Sequence, residues 1–320
     1  MNTRKNQIFF TLITVIFFFL NACQKEISLE RNQNPNIPAL ITDSNYLSTK
    51  YFIDKVGSTI DTTTTKYYYD NLKRVSKILE TSKNNGVIAA KDSIIFFYNA
   101  TDTIPVKKFE YYEAFGNGAR RDTILSFFTY NNLNRLIKDS TLIFEKEIVF
   151  YNYSIKKSIC NYSYSSNKIY GFKTFTLLYQ LVNSQFDYLQ NDTVTIDANK
   201  NIIESRQTSL ISTLPTIPES RLYTFTYDNK PSPYLNQNIN YIFPNIPEGT
   251  NLYFLNQLGS KNNRLKVRED VFTTTGGYNI YEDLTGKYTY NSLGFPIEIF
   301  IPEPSIPNDY TKLIFSYTSL

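Results

Sequence analysis

Histidine is absent from this chain. That absence removes Ser-His-Asp and Cys-His nucleophilic catalysis and most zinc sites. No G-x-S-x-G occurs either, so the usual hydrolase nucleophile elbow is missing. Cysteine is scarce, at two residues, Cys23 and Cys160. Charge of either sign is in short supply as well: 33 Lys and Arg against 29 Asp and Glu leave a formal +4. So small an excess gives no argument for nucleic acid as a partner. Nothing in the composition calls for a metal or a cofactor, and none is expected.

Long apolar runs are confined to the N-terminus. Arg4 and Lys5 precede "IFFTLITVIFFFL", Ile8 to Leu20, which carries no charge. The run is short for a membrane helix, which needs ~20 residues, and suits a signal-peptide core. "LNAC", Leu20 to Cys23, follows. It resembles the bacterial lipobox. The resemblance implies cleavage before Cys23 and attachment of palmitate-type acyl chains to its thiol and its new amino group. Several chains anchor a protein stably where one does so only marginally. The expected division is 1–22 signal peptide, 23–45 flexible polar tether and 46–320 a single β domain. Loss of Arg4 and Lys5 would leave 31 − 29 = +2, and Cys160 as the remaining thiol, unable to form an intramolecular disulfide. Gln24 after the cysteine, in place of the aspartate that retains enteric lipoproteins at the inner membrane, favours the outer membrane.

Aromatic residues are plentiful, with 27 Tyr and 24 Phe, and they recur in register. The pattern is an apolar residue, a spacer, usually Tyr, then usually Asp or Asn. It appears at Tyr67-x-Tyr69-Asp70, Phe96-x-Tyr98-Asn99, Phe128-x-Tyr130-Asn131, Phe225-x-Tyr227-Asp228 and Tyr288-x-Tyr290-Asn291. Weaker copies lie at Tyr162-x-Tyr164-Ser165 and Val194-x-Ile196-Asp197. A period of about 30 residues marks a repeat architecture.

Residues two apart on a strand share a face. The first and third positions are nearly all aromatic and should be buried. The spacers, mostly Thr or Ser such as Thr129, Thr226 and Thr289, should be wet. Asp or Asn then opens a turn, Asn134 and Gly294 tolerate positive φ, and the chain is apolar again at Val75, Leu136 and Ile202. Each unit therefore contributes two antiparallel strands joined by a corner of about five residues. Counting a degenerate eighth unit at 260–270, the expected fold is all-β. It is an up-and-down antiparallel meander of about 14–16 strands, forming a strongly curved sheet or barrel-like body. At most one short helix is expected, "TNLYFLNQL" at 250–258, with Thr250 as N-cap and Gly259 beyond its end.

The corner is similar to the YD repeats of Rhs-type proteins. "FTYDNKPSPY" at 225–234, then "SKNNRLK" at 260–266 and "YTYNSLGFPIEI" at 288–299, resemble a Bacteroidetes outer-membrane lipoprotein family of unknown function. That family is described as having a porin-like antiparallel sheet. The resemblance implies a fold and an envelope location, and no activity. A transmembrane barrel would need an apolar outward face on every strand. The Thr- and Ser-rich wet face, with Lys107, Lys108, Lys156 and Lys157 in or beside strands, argues instead for a body hung from a lipid anchor.

Among chemically capable residues, "DLTGKYTY" at 283–290 fails as a phosphate loop, because Tyr281 and Tyr288 replace its glycine and its Ser or Thr. Cys160 shares the face of Tyr164 and reads as a buried thiol. Carboxylate pairs occur at Glu110/Glu113 and Glu145/Glu147, and a glycosidase needs two such groups ~5–10 Å apart across a cleft. Solvated strands spell the same pairs. The expected function is a non-enzymatic envelope lipoprotein that contacts the membrane through its anchor and binds glycans or partner proteins through inter-repeat loops. The alternatives are a glycan-active enzyme with paired carboxylates and a purely structural envelope protein. Finally, Asp-Ser/Thr phrases place Thr62, Ser93, Thr103, Thr123, Ser140 and Thr193 in a context that resembles the O-glycosylation motif of exported Bacteroidetes proteins. The bland reading of the same phrases is an aspartate ending a loop and a hydroxyl residue starting a strand.

Overall fold

The structure is a computed structural model. It describes residues 46–320 apart from 117–118, 149–152, 180–183, 200, 212–218, 236–259, 273–277, 304–305 and 307. The helix expected at 250–258 and the whole of 1–45 lie outside the described residues. Among the described residues there is no helix.

Seventeen strands follow one another in the order β1 (Tyr46–Val56), β2 (Thr59–Tyr69), β3 (Val75–Asn84), β4 (Val87–Tyr98), β5 (Pro105–Ala114), β6 (Arg120–Tyr130), β7 (Leu136–Glu147), β8 (Tyr153–Ser165) and β9 (Lys168–Tyr179). They continue with β10 (Ser184–Ile196), β11 (Ile202–Ile211), β12 (Glu219–Pro231), β13 (Asn262–Phe272), β14 (Tyr278–Thr285), β15 (Lys287–Tyr290), β16 (Pro296–Pro302) and β17 (Tyr310–Thr318). Apart from β14, each pairs antiparallel with its successor, and β17 pairs back onto β1 from Leu47↔Tyr317 to Lys55↔Tyr310. Between β14 and β15 there is no ladder; they are consecutive pieces of one line, joined at Gly286, whose amide donates to Leu265 O at 2.9 Å. The meander is thus a nearly closed barrel-like sheet, as the repeat implies.

The corners explain the spelling of the repeat. Asn131 Oδ1 accepts the amides of Leu133 and Arg135, both at 3.0 Å. Asp70 takes Leu72 and Arg74 in the same way, and Asn291 takes Leu293 and Phe295. Lys73, Asn134 and Gly294 occupy the left-handed position with φ of 59°, 56° and 83°. A register shift follows in the ladder, at Tyr69↔Val75, Tyr130↔Leu136 and Tyr290↔Pro296. This bulge twists each hairpin more strongly than a regular ladder would. The β8–β9 corner departs from the plan. Tyr164-Ser165 runs into a tight turn at Ser166-Asn167, and pairing is regular to Ser165↔Lys168.

The anchor position is tyrosine for its hydroxyl as much as for its ring. Tyr69 donates to Leu47 O, Tyr98 to Val75 O, Tyr130 to Pro105 O, Tyr164 to Leu136 O, Tyr227 to Ile202 O and Tyr317 to Pro296 O, at 2.5–2.8 Å. Tyr288 donates likewise to Arg264 O. Each acceptor is a carbonyl near the first residue of the preceding strand, where the ladder ends and a partner would otherwise be missing. The bonds run almost all the way round one end of the barrel. They also identify the eighth unit. Phe315-x-Tyr317 on β17 is its anchor and Leu47 on β1 its return, so the last repeat is completed by closing the ring. The segment at 260–270, expected to be a unit of its own, is the return strand of the Asp228 corner.

Inside this end lies the core. Leu47, Val194, Ile202, Tyr223, Phe225, Val267, Ile299, Ile301, Leu313 and Phe315 pack together with Tyr234, a residue that belongs to no strand. Val75 and Phe96 form a second cluster with Tyr67, Tyr69, Tyr98 and Tyr130 around them. The spacers Thr129, Thr226 and Thr289 are exposed, as the alternation requires.

Candidate functional site

Farther from the corners the inward face turns polar. Directly opposed residues of an antiparallel pair share a face. The registers Glu80↔Asp92, Ile94↔Glu110, Asp122↔Glu145 and Asp139↔Cys160 therefore place these residues on the side that also carries Phe96 and Phe128. The result is a belt of inward carboxylates across β3–β7.

Most of them are answered. Lys108 Nζ meets Glu110 at 2.7 Å, Arg120 Nε meets Asp122 at 3.2 Å, and Lys156 meets Glu145, which also accepts from Ser154 Oγ at 2.8 Å. Thr65 Oγ1 donates to Glu80 at 2.8 Å. Asp139 accepts from Thr141 and Tyr162, both at 3.3 Å. Two buried oxygens of the belt have no hydrogen-bond partner among the described residues, Asp122 Oδ1 and the Oδ1 of Asp92. Burial, and after it the charges of Glu110 and Glu80, push its carboxyl up to about 7. Burial likewise raises Asp122 and Asp139, with Arg120 and Lys173 opposing. In Glu145 burial acts upward too, but the hydrogen bonds from Lys156 and Ser154 outweigh it and hold the group below its ordinary value. Cys160, 4% exposed, has its thiol pushed up to about 11, chiefly by burial. A thiol so protonated is a poor nucleophile, in keeping with a structural role.

Of the carboxylate pairs named from sequence, Glu110 and Glu113 are not brought together. Glu110 points inward to Lys108, whereas Glu113, three residues on, lies on the outward face and pairs with Arg121 at 2.8 Å. Of the second pair Glu145 is in the belt, and the side chain of Glu147 lies outside the described ones. The neighbours that do share a face, Glu80, Asp92 and Glu110, come from three different strands, so local spacing could not reveal them. Chemically the belt is a network of ion pairs and hydrogen bonds. Among the described residues no group of three or more Cys, Asp or Glu is arranged to hold a metal ion. A depression lined by Asp54, Ile301, Asp309 and Thr311 encloses about 160 Å³, below the roughly 300 Å³ of a small-ligand site.

Cys23 lies outside the described residues. Thr62, Ser93, Thr123, Ser140 and Thr193 all fall on the outward face, and Thr103 is exposed in the corner after Tyr98. Apart from Asp102, which lies in that same corner, their preceding aspartates do not end loops. Asp92, Asp122, Asp139 and Asp192 sit within strands and face inward, so the recurring phrase spells an inward acid followed by an outward hydroxyl.

No protein-family model and no curated protein matches the chain. Among solved structures it is similar to a porin-like protein from Bacteroides vulgatus ATCC 8482. Identity is 13%, with 87% of this chain and 100% of that one covered, at a TM-score of 0.49. It is also similar to a porin-like protein from Bacteroides uniformis ATCC 8492, at 12% identity, covering 85% of this chain and 96% of that one, with a TM-score of 0.41.

Proposed function

We propose that the chain is a non-enzymatic lipoprotein of the outer membrane, held through Cys23, that presents a rigid barrel-like body to a glycan or protein partner. The observation that carries this reading is where the repeat's polar groups are spent. The corner Asp and Asn oxygens bind their own backbone, and the tyrosine hydroxyls bind neighbouring strands. What recurs is architecture. What varies is the opposite end, where connections run from the Gly57-Ser58 turn to the segment 303–309. Variable loops on a rigid scaffold are where binding surfaces lie.

The outward face supports a peripheral body rather than a spanning one. Lys312 and Glu298 form an ion pair in mid-strand on that face, at 2.8 Å, and both side chains are partly exposed. A lipid-exposed barrel would exclude them. Crosslinking in the native envelope followed by mass spectrometry tests the proposal. Crosslinks from the loop end to one partner, or retention on a glycan resin, are the expected outcome. The second reading, a glycan-active enzyme, rests on Asp92, whose buried carboxyl is pushed up to about 7 with Glu110 and Glu80 as neighbours. Release of new reducing ends from a polysaccharide panel, abolished by Asp92→Asn, would establish that reading and overturn the first.

A further inference from the structure

Two halves of the outward surface differ in kind. On β16 and β17 cation is matched by anion, as in Lys312–Glu298. On β4–β7 the outward apolar residues are gathered into one contiguous group among the lysines and hydroxyl residues. Ile95, Phe109, Leu125 and Leu142 stand directly opposite one another, strand to strand, in one unbroken row. Phe97, Tyr111, Phe127 and Phe144 flank that row and are more than a third exposed; Phe97 and Phe127 reach 43% and 42%. So contiguous an exposed apolar surface marks an interaction site.

The frame of this patch is basic. The row ends at Lys77, opposite Ile95, and at Lys157, opposite Leu142. Lys107 lies between Phe97 and Phe127, its Nζ 5.1 and 5.6 Å from the two ring centres. Across the far edge run Lys91, Glu113, Arg121 and Lys146 in register. Glu113 is the one anion in that edge and is already paired with Arg121. An apolar centre with aromatic rings and unmatched lysines around it complements an anionic, amphipathic surface. Apolar side chains enter the boundary between headgroups and acyl chains, and each lysine near an anionic lipid surface adds about 1 kcal/mol. Tyr46, where β1 begins, lies at the corner end of this same barrel, where Leu47 receives the Tyr69 hydroxyl.

We propose that the outward face of β4–β7 docks against an anionic lipid surface, so that the barrel lies on the membrane along one side. This deepens the envelope reading by naming the contact. The test uses the full chain purified from its host envelope and placed on vesicles of phosphatidylcholine and phosphatidylglycerol. Some of the phospholipid carries a photoreactive diazirine in its acyl chain, and adducts are mapped by peptide mass spectrometry. Adducts concentrated on 95–97, 109–111, 125–127 and 142–144, several-fold above β13–β17, are expected. They should fall when phosphatidylglycerol is replaced by phosphatidylcholine, and in the surface variant Phe97→Ser/Phe127→Ser/Lys107→Glu.

Adducts spread evenly round the barrel would show a spanning barrel and overturn both the docking and the peripheral reading. Adducts confined to the N-terminal segment would overturn the docking and leave the anchor reading standing. Protein–protein crosslinks joining two copies through β4–β7 would assign the face to self-association and overturn the lipid contact. A glycan on Ser93, Thr123 or Ser140, which lie among these residues, would do the same, because a sugar there would hold the lipid away.

Discussion

The corner at Asn131 and the corner at Asp228 begin alike and end differently. At Asn131 one side-chain oxygen takes the amides two and four residues ahead, and five residues later the chain is buried again at Leu136. At Asp228 the first amide is still local, from Lys230 at 2.9 Å. The second comes from Asn263, 35 residues on, at 3.1 Å. Asn263 Nδ2 and the Tyr290 hydroxyl add to the same carboxylate. The corner has been opened and the chain between Pro231 and Asn262 inserted into it without loss of its hydrogen bonds. Ser232 N donating to Lys261 O at 2.8 Å closes the neck, and Tyr234 then joins the core. The residue that elsewhere is Val75, Leu136 or Ile202 is here Arg264, with no exposed surface. Its Nε reaches the Tyr227 hydroxyl at 3.2 Å and its guanidinium lies 4.5 Å from the Phe225 ring centre. A corner built on one carboxylate tolerates a long insertion because the carboxylate recognises an amide, not its place in the sequence.

That comparison can be broken, most forcefully at the return residue. Arg264→Ala empties a fully buried site and removes the contact with Tyr227. It should cost about 3–5 kcal/mol, at the upper end of the roughly 2–5 expected for Leu136→Ala. Denaturant midpoints would check this, and a cost for Arg264→Ala below about 1 kcal/mol would show that the arginine is not an element of the corner. Next comes the Asn or Asp that opens the turn. Asn131→Ala should cost about 1 kcal/mol, the usual value of a lost cap. Asp228→Ala should cost clearly more, since the backbone of Asn263 and the hydroxyl of Tyr290 lose their acceptor too. Equal costs would mean that the split corner is held by its neighbours instead.

Smaller still are the hydroxyls. Tyr98→Phe, Tyr130→Phe and Tyr164→Phe keep the ring and should each cost about 1 kcal/mol. Thr129→Ala and Thr226→Ala, on the outward face, should stay within about 0.5 kcal/mol. Spacers that hurt as much as anchors would invert the register.

Corner and belt also separate by pH. At Asp70 burial acts upward, but the hydrogen bonds from Arg74 and Leu72 outweigh it, and the carboxyl is held below its ordinary value. Its contribution is present above the unfolded-state value and is lost as pH falls through the folded one. Asp92, raised to about 7, behaves oppositely. Its protonated form favours the fold at low pH, and that contribution is lost as pH rises from about 4 through 7. Asp70→Asn should flatten the acid limb of a stability profile and Asp92→Asn the limb approaching neutrality. An unchanged profile in the second variant would mean that Asp92 is ionised in the fold.

The pairing of ring and turn residue was legible at Tyr69-Asp70, Tyr130-Asn131 and Tyr290-Asn291, because aromatic alternation and turn chemistry are local properties. So was the burial of Cys160, four residues before Tyr164 on one strand face. The eighth anchor, Phe315-Ser316-Tyr317, was not legible, because it lacks the Asp or Asn that marks most of the others and its return strand is the first of the chain. The inward belt was not legible. Glu80, Asp92 and Glu110 lie on three strands, and only pairing brings them together. For the same reason Glu110 and Glu113 looked like a pair, although an interval of three residues on a strand puts them on opposite faces.

What the amino-acid sequence determined by itself was therefore the unit: a strand, a five-residue corner, a return strand, and which face of each is apolar. These follow from periodicity two and from backbone conformations that particular residues prefer. Tertiary structure alone decided that the eighth unit closes through β17 and β1, and that Asn263 completes a turn begun at Asp228. It alone decided that isolated acids and lysines add up to a polar interior and a basic-framed patch on β4–β7. Those outcomes depend on register between strands distant in sequence, and register is set by the whole sheet at once.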